Sequence, residues 1–150
     1  MLITTLMLAS AQASTFAEVP SLETLTDRAA AVVKGEVIGS RTDSCSIGLC
    51  TTHTVLVQQV LKGTAAETVE VVLPGGTLNG LTQRAAGFPR WKEGSQVILF
   101  VSTDGTVPAN GLMTVTDGAP VDPLHRTRIP TSVEDLATFV RKRESPVDID

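Results

Sequence analysis

Two segments of the chain alternate apolar and polar side chains with a period of two, and this pattern commits them to half-buried strands. In AAAVVKGEVIGS, Val33, Gly35 and Val37 fall on one face while Lys34 and Glu36 fall on the other. In TVEVVLP, Val69, Val71 and Leu73 point one way and Glu70 the other. Val is abundant, Thr is frequent, Tyr is absent and Trp91 is the single Trp. β-Branched side chains lose little on a pleated surface, so the composition agrees with the alternation.

The remaining elements follow from the same reading. The first strand is expected over about residues 30–40. In TTHTVLVQQVLKG, Val55 and Val57 share a face and Val60 does not, so a bulge near Gln58 and Gln59 is needed to restore register before Lys62 and Gly63 end the strand. The third strand stops at Pro74, Gly75 and Gly76, and a long Gly-rich connection runs to Gly94. SQVILFVS is apolar on both faces, as a strand covered on both sides must be, and GLMTVT gives a weaker fifth strand. PSLETLTDRAA predicts a short helix with Ser21 as N-cap, Glu23 in its first turn and Leu22 and Leu25 on one side. TSVEDLATFVRKR predicts a second, with Thr131 and Glu134 at capping-box spacing and Val133, Leu136, Ala137 and Val140 in one stripe. Its basic end, Arg141 to Arg143, suits the negative end of the helix dipole. The expected fold is therefore mainly β: a five-stranded OB-type barrel with a short N-terminal helix and a C-terminal helix. A chain of 150 residues, 42% hydrophobic, fills one core of ordinary size, so residues 14–150 are read as a single domain.

The first charged residue is Glu18, and MLITTLMLASAQAS before it is an apolar run followed by small residues, with Ala11 and Ala13 in an A-x-A arrangement. Residues 1–13 are read as a signal peptide cleaved after Ala13, which makes the protein secreted or periplasmic. The apolar run is shorter than the ~20 residues a membrane span requires, and no later segment approaches that length. Export sets the reading of Cys45 and Cys50. In an oxidising compartment the pair is most simply a local disulfide pinning a polar loop. The alternative is a metal site of Cys45, Cys50 and His53, but three ligands fall short of a structural site and the other His, His125, is far along the chain.

The order SLETLTDRAAAVVKGEVIGS, THTVLVQQVLKG, VEVVLPGG and GFPRWKEGSQVILFV resembles a family of uncharacterised secreted bacterial proteins over nearly the whole mature chain. The first helix, VVKGEV and the strand ending in LKG are also distantly similar to the netrin-like OB barrel of tissue inhibitors of metalloproteinases. Those inhibitors begin with a Cys that chelates the protease zinc through its amino group and carbonyl. Here the mature chain would begin at Ser14 or Thr15, so the resemblance implies a fold and supplies no matching inhibitory residue.

Catalytic machinery is not legible. His53 and His125 lie in no recognised motif, and no G-x-S-x-G elbow is present. GGTLNGLT has a G-x4-G spacing, yet Leu81 stands where a phosphate-binding loop carries Lys. Asp148 and Asp150 form a carboxylate pair in the C-terminal tail. No cofactor or metal is implied. Single-stranded nucleic acid needs aromatic platforms and a basic groove, whereas residues 51–73 contain no aromatic ring and acidic residues outnumber basic ones 16 to 12, for a net charge of -4. The basic residues Arg84, Arg90 and Lys92, and again Arg126 and Arg128, are read as solvated loop charge.

The expected function is that of a non-enzymatic binding domain that engages a protein partner through its loops. Leu81, Phe88, Arg90 and Trp91, on the long connection, are the candidate binding residues. For Trp91 there is a competing role, that of sealing one end of the barrel. The alternatives are a hydrolase using His53 or His125, which a metal or a deep pocket beside either ring would favour, and a structural component of the envelope.

Overall fold

The computed structural model describes residues 19–126 and 128–144; the signal-peptide reading of residues 1–13 and the Asp148 and Asp150 pair lie outside them. The elements are, in order, helix α1 (Leu22–Arg28), strands β1 (Ala31–Cys45), β2 (Gly48–Lys62), β3 (Thr68–Pro74), β4 (Gly76–Leu78), β5 (Leu81–Gln83), β6 (Gln96–Val101), β7 (Leu112–Thr116) and β8 (Ala119–Val121), and helix α2 (Val133–Glu144). Six strands form one antiparallel sheet in the order β3-β2-β1-β6-β7-β8, and β4 pairs with β5 in a separate ribbon. β1, β2 and β3 follow one another by hairpins, and the chain then returns by a long connection to lay β6 beside β1, which is the Greek-key order. The fold is thus mainly β with two helices, but the main sheet has six strands rather than five, and its outer strands β3 and β8 do not bond to each other.

The two faces of the sheet carry separate cores. Ala31, Val33 and Val37 of β1 cluster with Val55, Val71, Leu73, Val97, Leu99 and Leu112. Strands from both halves of the sheet contribute to this cluster, so the sheet curls around it. Val32, Ile98, Phe100 and Met113 face the other way and are covered by Leu22 and Leu25 of α1 and by Leu136, Ala137 and Val140 of α2. This is why SQVILFVS shows no alternation: β6 has an occupied core on each side. β3 keeps the expected alternation, with Val69, Val71 and Leu73 buried and Glu70 exposed.

Register and caps depart from expectation in instructive ways. Opposite Lys34 and Gly35 the partner residue jumps from Gln59 to Val57, so a bulge does sit at Gln58. A second irregularity, between Val32 and Val33, skips Leu61. Leu61 then joins the helix-side core while Val60 stays 40% exposed, so the bulge does not return Val60 to the interior. Ser21 caps α1 as expected, its Oγ accepting from the Thr24 amide at 3.2 Å. The cap of α2 is Ser132 rather than Thr131: its Oγ accepts from the Asp135 amide at 3.1 Å, placing the acidic residue of the motif one position later. Arg143 of α2 reaches back to Asp27 of α1 at 2.6 Å, which ties the two helices across the sheet face they cover.

Candidate functional site

The segment expected to be a cysteine loop is the end of a long hairpin. β1 and β2 pair through Asp43 opposite Cys50 and Cys45 opposite Gly48, leaving a turn of Ser46 and Ile47. Cys45 and Cys50 form the disulfide, with their Cα atoms 5.8 Å apart. Both sulfurs are consumed, so the alternative metal site with His53 has no thiolate to offer.

The long connection also has structure of its own. Asn79 and Gly80, with φ of 50° and 79°, make the two-residue turn of the β4-β5 ribbon. Gln83, at the end of that ribbon, accepts a hydrogen bond on Oε1 from the Leu49 amide at 2.8 Å and donates from Nε2 to the Ile47 carbonyl at 3.2 Å. The ribbon is thereby fastened to the tip of the β1-β2 hairpin. Gly48 is required at the contact: its φ is 120°, and a Cβ there would lie 2.2 Å from Gln83 Oε1.

Between this ribbon and the sheet lies an open cleft of about 290 Å³. One wall is a ladder of cross-strand polar pairs. Ser40 stands opposite His53, with its Oγ 2.6 Å from His53 Nδ1, and Thr42 stands opposite Thr51, with their hydroxyls 2.9 Å apart. Thr51 also donates to the Gly75 carbonyl at 2.8 Å. The apolar wall is Leu73, Phe88 and Trp91, and Arg84 and Arg90 line the cleft from the connection.

His53 is buried, 5% exposed, and its ring meets the edge of Trp91 with centroids 5.4 Å apart. Burial pushes its pKa below the ordinary value of 6.5, so the imidazole is neutral at neutral pH. Trp91 in turn donates from Nε1 to Thr114 Oγ1 of β7 at 3.0 Å. It therefore bridges β2 and β7 across the curled face and is only 8% exposed. Of the candidate binding residues, Trp91 is a wall of the core and not a presented anchor. Phe88 is half-buried against the same core, Arg90 is exposed at the cleft, and Leu81 projects 66% exposed from the ribbon. The structure brings Phe88, Arg90 and Trp91 to one cleft and sets Leu81 at the neighbouring hairpin end.

His125 is exposed on a different connection, beside Arg126 and Arg128 in a second, more open hollow. Arg126 itself is not solvated loop charge. It forms a buried pair with Asp122 at 2.9 Å, and the two side chains are only 4% and 2% exposed. Among the described residues no group of His, Cys, Asp or Glu is placed to hold a metal, and no helix is long and apolar enough to cross a membrane. Sequence reasoning did not single out Ser40, Gln83 or Ile47. Ser40 and Gln83 carry no local signal, because each acts on a partner distant in sequence.

No protein-family model and no curated protein matches the chain.

Proposed function

We propose that the protein is an exported binding module that engages a protein partner with the end of the molecule where the tip of the β1-β2 hairpin is fastened to the base of the β4-β5 ribbon. The observation that carries this reading is the Gln83 tie. It holds the disulfide-closed β1-β2 turn and the β4-β5 ribbon in one arrangement, each presenting a large apolar side chain, Ile47 at 63% and Leu81 at 66% exposure. Exposed apolar groups on a pre-ordered scaffold bind with little ordering cost. The disulfide also fits an oxidising compartment and so supports export. The Greek-key order and the curled sheet support reading the domain as a partly open barrel of OB type, the fold implied by the netrin-like resemblance.

The test is capture of partner from an extracytoplasmic fraction by the wild type and by the Ile47→Asp, Leu81→Asp double variant. The variant should lose capture while its unfolding midpoint stays close to wild type, because exposed positions usually change stability by within about ±0.5 kcal/mol. Undiminished capture would refute the assignment of this end.

A further inference from the structure

The cleft beside the hairpin end has an unusual charge environment. The chain as a whole is acidic, with 16 Asp and Glu against 12 Lys and Arg, yet among the described residues no carboxylate lines the cleft. Arg41, Arg126 and Arg143 each meet an Asp, whereas Arg84 and Arg90 have no ion-pair partner among the described residues. The imidazole of His53 stays neutral, and the hydroxyls of Ser40, Thr42 and Thr51 are engaged with neighbours. The low-dielectric wall of Leu73, Phe88 and Trp91 sharpens the positive field of the two guanidiniums rather than cancelling it.

We propose that this cleft receives an acidic side chain, the carboxylate of an Asp or Glu on a peptide segment of the protein partner. The proposal deepens the proposed function and rests on it for the partner's identity as a protein. A guanidinium fork matches a carboxylate with two parallel hydrogen bonds, and two arginines, Arg84 and Arg90, line this one opening. A small free ligand is disfavoured by shape, because tight sites enclose most of their ligand's surface. This cleft, about 290 Å³ and open to solvent, suits one side chain of a longer partner whose other contacts fall on the hairpin tips.

The single Trp lines the cleft, so its fluorescence reports occupancy directly. An N-acetylated, C-amidated peptide of glutamates, titrated into the full-length protein at low salt, should change Trp91 emission saturably. The matching glutamine peptide should not. Arg84→Gln and Arg90→Gln should each weaken the glutamate peptide by about ten-fold with an unmoved thermal midpoint, and added salt should weaken it further. Arg28→Gln, which removes the same charge from α1 outside the cleft, should leave the titration as in wild type. Equal binding of the glutamine peptide, unchanged binding by both cleft variants, or an equal loss in Arg28→Gln would overturn the proposal. So would free glutarate matching the peptide, which would mark a small-molecule site. Inorganic phosphate displacing the peptide at lower concentration than glutarate would mark a phosphoryl site and overturn it as well. The Ile47→Asp, Leu81→Asp variant separates the two readings. If it keeps the peptide while losing the partner, both stand; if the wild type fails to bind the peptide while capture still needs the tips, this proposal alone falls.

Discussion

Two connections of this protein carry arginines, and the structure uses them in opposite ways. Between β8 and α2, Arg126 is buried: its guanidinium pairs with both oxygens of Asp122, donates to the Pro20 carbonyl at 2.8 Å, and also donates to the Asn110 carbonyl. Asp122 further accepts the amides of Leu124 and Arg126. Both charges of this buried pair are matched, and the result is a pin joining the approach to α1, the turn before β7 and the approach to α2. Between β3 and β6, Arg84 and Arg90 have no ion-pair partner among the described residues and line an open cleft. The same residue type thus closes one loop and leaves the other available, and the difference lies in whether a carboxylate is supplied within the chain.

The sharpest way to break that comparison is to remove the buried cation. Arg126→Met should destabilise the protein by about 3–5 kcal/mol, because it leaves the Asp122 carboxylate buried without its counter-charge. Urea unfolding measures it. A loss comparable to that of an exposed arginine would show that the 122–132 connection is not held by the pair.

Within the other connection, Trp91 is the element that is closed. Trp91→Ala should also cost about 3–5 kcal/mol, at the lower end of that range, since the residue borders an open cleft into which water can follow. Urea unfolding is again the measurement. An unchanged midpoint would return Trp91 to the role of a presented binding residue.

How much of this was legible in the sequence depends on where the information is stored. Alternation at Val33 to Val37 and at Val69 to Leu73 places two strands correctly, because it is set by the faces of single strands. The turns of the two short hairpins were also readable. Asn79-Gly80 and Asp117-Gly118 are dipeptides that favour positive φ at both positions, and weighing them would have divided the long connection and added β8. The extension of β1 through Cys45 was not readable from residues 41–50 alone, since their polarity reflects a hairpin end reaching beyond the core. Arg126 and Arg84 look alike in sequence. Only the fold brings Pro20 and Asn110 to the first and an open cleft to the second. Ser40 and His53 likewise become neighbours solely through the β1-β2 register.

The smallest expected effect is a pH dependence seated in the wall of the cleft. His53 is held neutral by burial, with a pKa below 6.5, whereas in the unfolded chain the same ring is solvated and titrates near 6.5. Above that value neither state carries the proton and the folded protein has its full stability with respect to this group. As pH falls below 6.5 the unfolded chain binds a proton that the folded protein does not, so stability declines until the folded pKa is reached. The slope cannot exceed about 1.4 kcal/mol for each pH unit from one group. The carboxyls of Asp27, hydrogen-bonded by Arg143, and of Asp104, hydrogen-bonded by Thr106, are held below 3.8, so their contributions are lost only at more acidic pH. The urea midpoint should therefore drop between pH 7.5 and 5.5 in the wild type, and the drop should be reduced in His53→Gln, which keeps a polar partner for Ser40 without a titrating ring. Equal slopes in the two proteins would mean that His53 is hydrated in the folded state, and the cleft wall would then have to be open to water at Trp91 as well, because the two rings share one edge contact.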